Sequence, residues 1–317
     1  MSSTRGCRRC FRNIKTDPAM LTIGNESLKI TLRLPDGKAG YYRGTRFDWA
    51  GVFESIVYDG CNYAEQWFEV YSPEKHDAVG GPAEEFGAIG FDQAAPGEAF
   101  LKIGVGMLER PDDQPYDRFR LHKIMDYGQR EFSASSGCAL YRHVIGSDSG
   151  YGYDYVKEIC VTGNNSFSIR HKLLNTGTLT LKTDVYNHNF FTLGLLKVAE
   201  GRCLDFPYRP EGDWRDEYDH VAFTENGIRF SEPNDKVVSV FTGNLHEAGK
   251  GFSGSPSSFD IYETATGRRV QVRCALPMTK AVFWANRMVA CVEPYLDFEI
   301  KPGEEFCFTI DYILDRL

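Results

Sequence analysis

Short runs with a two-residue hydrophobic period, broken by glycine, asparagine and proline, recur along almost the whole chain and point to an all-β fold. In one such run Phe167, Ile169 and Leu173 alternate with Ser168, Arg170 and Lys172. That spacing puts each set on its own face of a half-buried strand. Gly163-Asn164-Asn165 precedes the run and Asn175-Thr176-Gly177 follows it, residue types suited to tight turns. Comparable runs cover 20–34, 100–108, 153–161, 178–193, 268–276, 281–294 and 306–314. No capped segment of helical period interrupts them, and 65–71 fits a short helix and a strand equally well. Many short strands joined by turns predict an antiparallel β-sandwich or barrel.

The chain has 317 residues, enough to bury roughly three-quarters of its unfolded surface without a disulfide or metal staple. Proline and glycine are spread along it, and no low-complexity linker divides it; 250–258 is the most loop-like stretch. The expectation is a tail without fixed structure over 1–17 and one large β domain over 18–317. Segments 72–99 and 109–117, rich in Gly, Pro and acidic residues, read as long loops, where sites tend to lie on a β scaffold.

Charge and cysteine usage narrow the function classes. With 36 Lys and Arg against 44 Asp and Glu, the net charge is −8, which disfavours a nucleic-acid partner because phosphate needs a basic face. No run approaches the ~18 apolar residues of a membrane helix. The nine cysteines are an odd number, and Cys160, Cys274, Cys291 and Cys307 lie in strand-like runs where a free thiol acts as a small apolar residue. A reduced, cytoplasmic protein is expected. Cys7 and Cys10 form a lone C-x-x-C without the other two ligands of a zinc site, so no metal is expected.

No phosphate-binding loop, H-E-x-x-H or G-x-S-x-G motif is present. Gly104-Val105-Gly106 lacks a third glycine and reads as a strand where backbones approach closely. What remains is a histidine and a glutamate in unusual settings. In Tyr186-Asn187-His188-Asn189-Phe190-Phe191, strand geometry puts His188 on the face of Tyr186 and Phe190, with Asn187 and Asn189 opposite. Such an imidazole suits proton donation to an ether oxygen; a hydrogen-bonded core histidine satisfies the same pattern. In Ala290-Cys291-Val292-Glu293-Pro294-Tyr295, the Glu293 carboxylate is costly to bury unless paired, so its pKa is expected to rise. It then serves as a general base or, equally, as half of a structural ion pair.

The pieces Tyr186–Phe191 (YNHNFF), Cys291–Pro294 (CVEP) and Lys301–Glu304 (KPGE), preceded by VTGNNSFSIRHKLLNTG over 161–177, resemble the galactose mutarotase-like, or aldose 1-epimerase-like, family. The resemblance is clearest over 155–315. It implies a large antiparallel β-sandwich with a sugar cleft on its concave face. It further implies an isomerase in which His188 protonates the ring oxygen and Glu293 takes the anomeric proton, so that ring opening and closure exchange anomers. Acid and base on opposite sides of the sugar suffice for that chemistry, with no cofactor, and the partner is a small-molecule sugar.

The N-terminal half departs from the pattern. The early asparagine-containing motif and second histidine of characterised mutarotases are not found, with His76 and His122 the nearest substitutes. Arg46 and Asp48, in RGTRFDW, share one strand face beside an aromatic residue, a combination suited to sugar hydroxyls or an acidic substituent. Glu85, in GGPAEEFG, and Lys102 are further substrate-binding candidates. Two other functions remain open: a hexose-6-phosphate epimerase, with Arg43 and Arg46 supplying phosphate charge, and a non-catalytic carbohydrate-binding sandwich.

Overall fold

The computed structural model describes residues 20–146, 149–194, 197–235, 239–250 and 258–316. The expected tail over 1–17, Cys7, Cys10 and most of the 250–258 loop lie outside the described residues. Among the described residues there is no helix, and so none long and apolar enough to cross a membrane.

The strands form sheets of ten, six, four and three. Across the ten-stranded sheet, Arg268–Cys274, Glu305–Arg316, Ser166–Asn175 and Tyr153–Val161 are successive antiparallel neighbours. The six-stranded sheet runs Pro210–Trp214, Val240–Glu247, Lys280–Ala285, Ala290–Ile300, Leu181–Phe190, Gly81–Phe86. Alternation sorts its side chains between two cores. Leu181, Val185, Leu296, Phe298 and Ile300 join Tyr155, Phe167, Ile169 and Ile310 of the ten-stranded sheet in the sandwich interior. Tyr186, Phe190, Cys291 and Tyr295 point the other way, into a second core with Phe47, Trp67 and Phe100 from the N-terminal part of the chain. Each apolar side chain so buried contributes about 1.5–3 kcal/mol.

Because both faces are covered, the strand ends that carry His188 and Glu293 are buried at consecutive positions, Val185 to Phe190 and Ala290 to Leu296. The same fact explains a departure from expectation. The 72–99 segment is not all loop: Gly81–Phe86 is a strand buried at every position, paired antiparallel with Val185–Phe190. Two-sided burial erased its alternation, and its two glutamates made it look like loop.

Other local differences have similar causes. Residues 65–71 are neither helix nor strand. The 281–294 run is two strands, Lys280–Ala285 and Ala290–Ile300, joined by a turn in which the Asn286 side chain accepts from the Met288 and Val289 amides. Gly104 sits in the turn between Ala99–Lys102 and Gly106–Glu109, at φ 80°. The run is therefore a turn between two strands and not one strand; what a Cβ on Gly104 would meet is the Asp48 side chain, while the close backbone approach is at Gly106, against the Asp126 carbonyl. Cys138 and Cys160 face each other in register and form a disulfide, with Cα atoms 4.2 Å apart. That corrects the expectation of a free Cys160; Cys274, Cys291 and Cys307 are free.

Candidate active site

Tyr186 opposite Tyr295 is the last paired position between the Leu181–Phe190 and Ala290–Ile300 strands. Two residues further on each strand, on the same face, stand His188 and Glu293. His188 Nε2 lies 2.9 Å from Glu293 Oε1, and both side chains line a cavity of about 1080 Å³. The sequence reading placed acid and base on opposite sides of the substrate; here they share one wall and touch.

Aromatic rings fix the imidazole. It stacks on Phe190 at 3.7 Å between ring centres, with the edges of Trp284 and Phe47 at 5.3 and 6.1 Å. Trp67 stacks on the far side of Phe190 at 4.8 Å. Burial pushes the His188 pKa below the ordinary histidine value, outweighing the pull of Glu293 in the other direction. His188 Nδ1 is buried without a hydrogen-bond partner, so an added Nδ1–H would have no acceptor. The neutral ring, donating Nε2–H to Glu293, is the state this geometry favours.

Behind this wall Asn187 and Asn189 face the sandwich interior, as alternation predicts. The Tyr312 hydroxyl donates to Asn187 at 2.8 Å and lies 3.2 Å from Asn189 Oδ1. Asn189 donates to Val292 O at 3.1 Å, tying the two catalytic-candidate strands together where their ladder has ended.

The four substrate-binding candidates separate. Arg46 lines the cavity and donates to Glu85 Oε2 at 2.8 Å and to the Tyr186 hydroxyl at 2.7 Å. Asp48 does not: residues 44–50 form no strand, and Asp48 turns into the interior, accepting from Tyr155 and Lys157. Glu85 and Lys102 are fully buried beneath the wall rather than in it. Lys102 Nζ is 3.2 Å from Glu85 Oε1, and Arg118 is 3.5 Å from Glu85 Oε2. Burial alone would raise the Glu85 carboxyl, but Lys102, Arg46 and Arg118 outweigh it and hold it at about 2. Arg43 leaves the site for Lys38 O and Glu74 at the surface. His76 reaches the cavity wall; His122 packs instead among Phe91, Phe100 and Tyr116.

Several cavity residues had gone unnoticed: Trp67, Arg118, Lys280, Trp284 and Tyr295. Lys280, Val282 and Trp284 alternate on the strand facing Glu293, a signal legible once that strand is paired. Arg118 lies in an irregular segment with no such signal. Among the described residues one group, Cys138, Glu158 and Cys160, brings three metal-ligand atoms together, but the disulfide leaves it no thiolate to offer.

No protein-family model matches the sequence, and no curated protein matches it. Solved structures do. An Escherichia coli K12 protein proposed to be an aldose 1-epimerase superposes with a TM-score of 0.60 at 13% identity, over 94% of this chain and 99% of that one. A galactose mutarotase-like protein from Lactobacillus casei ATCC 334 gives 0.55 at 12%, over 93% and 100%. Galactose 1-epimerase from Lactobacillus acidophilus NCFM gives 0.51 at 13%, over 94% of each chain. What these structures share with the chain is its architecture: it has the galactose mutarotase-like fold.

Proposed function

We propose that the protein is an aldose 1-epimerase-like isomerase that exchanges sugar anomers through acid–base ring opening. The observation that carries this reading is the His188–Glu293 contact of 2.9 Å on the wall of a cavity lined by aromatic rings. In a cyclic hemiacetal the hydroxyl oxygen O1 and the ring oxygen O5 are bonded to one carbon. A touching acid–base pair therefore reaches both, without having to flank the sugar.

The substrate enters between the two side chains and replaces their mutual hydrogen bond. Glu293 takes the proton from O1 while His188, staying neutral, donates an Nε2–H hydrogen bond to O5. As the C1–O5 bond breaks the proton on Glu293 passes to O5, so the pair is restored and the net change is one proton moved from O1 to O5. Rotation about C1–C2 and the reverse steps close the ring on the other face. Proton transfer by a positioned group contributes about 10²–10⁴-fold. Trp67 and Trp284 line the cavity beside the pair and present aromatic surface to the sugar's C–H edges, while Phe190, covered by His188 on one face and Trp67 on the other, holds the imidazole in place.

Neighbouring structures named as epimerases support the reading through their fold alone. A cytoplasmic setting belongs to this proposal as an expectation. The test is polarimetry of freshly dissolved α-glucose and α-galactose with the purified chain. Acceleration of the approach to anomeric equilibrium is expected. Sugar binding without acceleration would favour the non-catalytic carbohydrate-binding reading.

A further inference from the structure

We infer that the site takes the reducing end of a 1,4-linked oligosaccharide, with the second and third sugars lying in a trough that crosses the six-stranded sheet from Glu293 to Arg215. The inference rests on the epimerase reading, which puts the free anomeric carbon at His188 and Glu293. A single hexose underfills the cavity. Its volume of about 1080 Å³ lies just above the ~300–1,000 Å³ that encloses a drug-sized ligand, and a hexose is far smaller than such a ligand.

The register of the sheet gives the cavity its direction. Val282 stands opposite Glu293, Trp284 opposite Cys291, and Phe241 opposite Trp284. Two residues on from Phe241, Gly243 pairs with Asp213 of the edge strand. Side chains on the cavity face therefore fall into two rows that run across the strands. Trp284 and Phe241 make one, extended by the Arg215 guanidinium, which lies over the Phe241 ring at 5.7 Å. Glu293, Val282 and Gly243 make the other, and it is low. Apart from its chain neighbours, a Cβ on Gly243 would meet nothing nearer than the Phe241 ring at 3.9 Å. An aromatic wall beside a low floor makes a trough, and all six of these residues line the cavity.

The far end breaks strand alternation in favour of the same space. Gly243 faces the cavity, so alternation would turn Asn244 inward. Instead the ladder shifts register between Glu211 and Asp213, so that Asn244 and Leu245 stand against Gly212 alone. Asn244 takes φ 50° and lines the cavity, while Leu245 takes the interior place. Bulges re-aim side chains in this way beside sites. Asn244 Nδ2 donates to Asp213 Oδ2 at 2.7 Å, which holds the amide in one orientation. With the Arg215 guanidinium, it supplies hydrogen-bonding groups suited to sugar hydroxyls.

Length fits as well. Neighbouring strands lie about 4.8 Å apart, close to the length of one pyranose ring along a 1,4-linked chain. From the Glu293 strand to the Pro210–Trp214 edge is three such steps, one for the reducing sugar and two beyond it. O4 lies across the pyranose ring from C1, so a 1,4-linked chain with C1 at the pair runs straight away from it. The opposite direction is closed, because Phe47 and Trp67 pack on Phe190 of the His188 strand.

The test varies chain length at fixed chemistry. Glucose with maltotriose and cellotriose, and galactose with β-1,4-galactotriose, are titrated calorimetrically into the wild-type chain, and anomer exchange of each is followed by NMR. At least one trisaccharide is expected to bind about tenfold or more tighter than its monosaccharide, with the KM for exchange lowered by a similar factor. Gly243→Leu fills the floor, and Arg215→Ala removes an exposed side chain from the far wall. Each should shrink the trisaccharide advantage to about threefold or less. Monosaccharides binding as tightly as every trisaccharide, no binding by any of these sugars, or an advantage undiminished in both variants would overturn the inference. Exchange judges the epimerase reading separately. Exchange without length preference sinks only the trough, and length-selective binding without exchange sinks only the epimerase.

Discussion

Glu84 and Glu85 are adjacent in the chain and point to opposite faces of the six-stranded sheet, each neutralising its own set of cations. Glu84 faces the sandwich interior, where it accepts from Lys157 and from Asn187 at 3.0 Å and lies 3.4 Å from His171 Nε2. Glu85 faces the cavity side and is shared by Arg46, Lys102 and Arg118. One strand thus ties the inner charge cluster to the floor of the candidate site.

Removing the Glu85 charge leaves buried cations without a counter-ion, so Glu85→Gln should destabilise the protein by about 3–5 kcal/mol at neutral pH. The pH dependence follows from the sign of the shift. Glu85 is held at about 2 in the folded chain against an ordinary 4.5. Its stabilisation is complete above about 4.5 and is lost as pH falls toward about 2. Urea unfolding of wild type and variant from pH 7 down to pH 3 checks this. The gap should narrow below about 4.5; a constant gap would contradict the role given to Glu85.

The Cys138–Cys160 bridge makes a second, separable claim. Thiol titration of the denatured chain should find two fewer free thiols without reductant than with it, and the difference should vanish in Cys138→Ser. All nine cysteines titrating without reductant would restore the fully reduced reading and remove the bridge.

A third expectation concerns pH and rate. Because burial lowers the His188 pKa from 6.5, the neutral ring persists to more acidic pH than a free histidine would allow. The acid limb of kcat/KM for anomer exchange should therefore have its midpoint below 6.5, reported for the pair rather than for either residue. A midpoint at or above 6.5 would mean that Glu293, not burial, dominates the imidazole.

Much of this was legible in the chain because strand period and turn residues are local signals. The alternation at 166–175 and the facing of His188 against Asn187 and Asn189 follow from spacing alone. Where both faces of a strand are buried, the signal disappears, which is why Gly81–Phe86 read as loop. Long-range pairing was invisible for the same reason that it matters. Nothing local says that Asp48 turns inward to Lys157, that Lys102 lies beneath Glu85, or that Cys138 meets Cys160 across a strand pair. Arg118 joins the site from an irregular segment and carries no periodic mark at all.

The central claim is that His188 and Glu293 act together on the hemiacetal, and the most direct measurement is anomer exchange in Glu293→Gln. Glutamine keeps the shape of the side chain and its contact with His188 but cannot take the O1 proton. The account predicts a fall in kcat of about 10²-fold or more with KM changed far less. His188→Asn should behave likewise, and the double variant should lose less than the product of the two. An active wild type whose kcat survives Glu293→Gln would contradict the account.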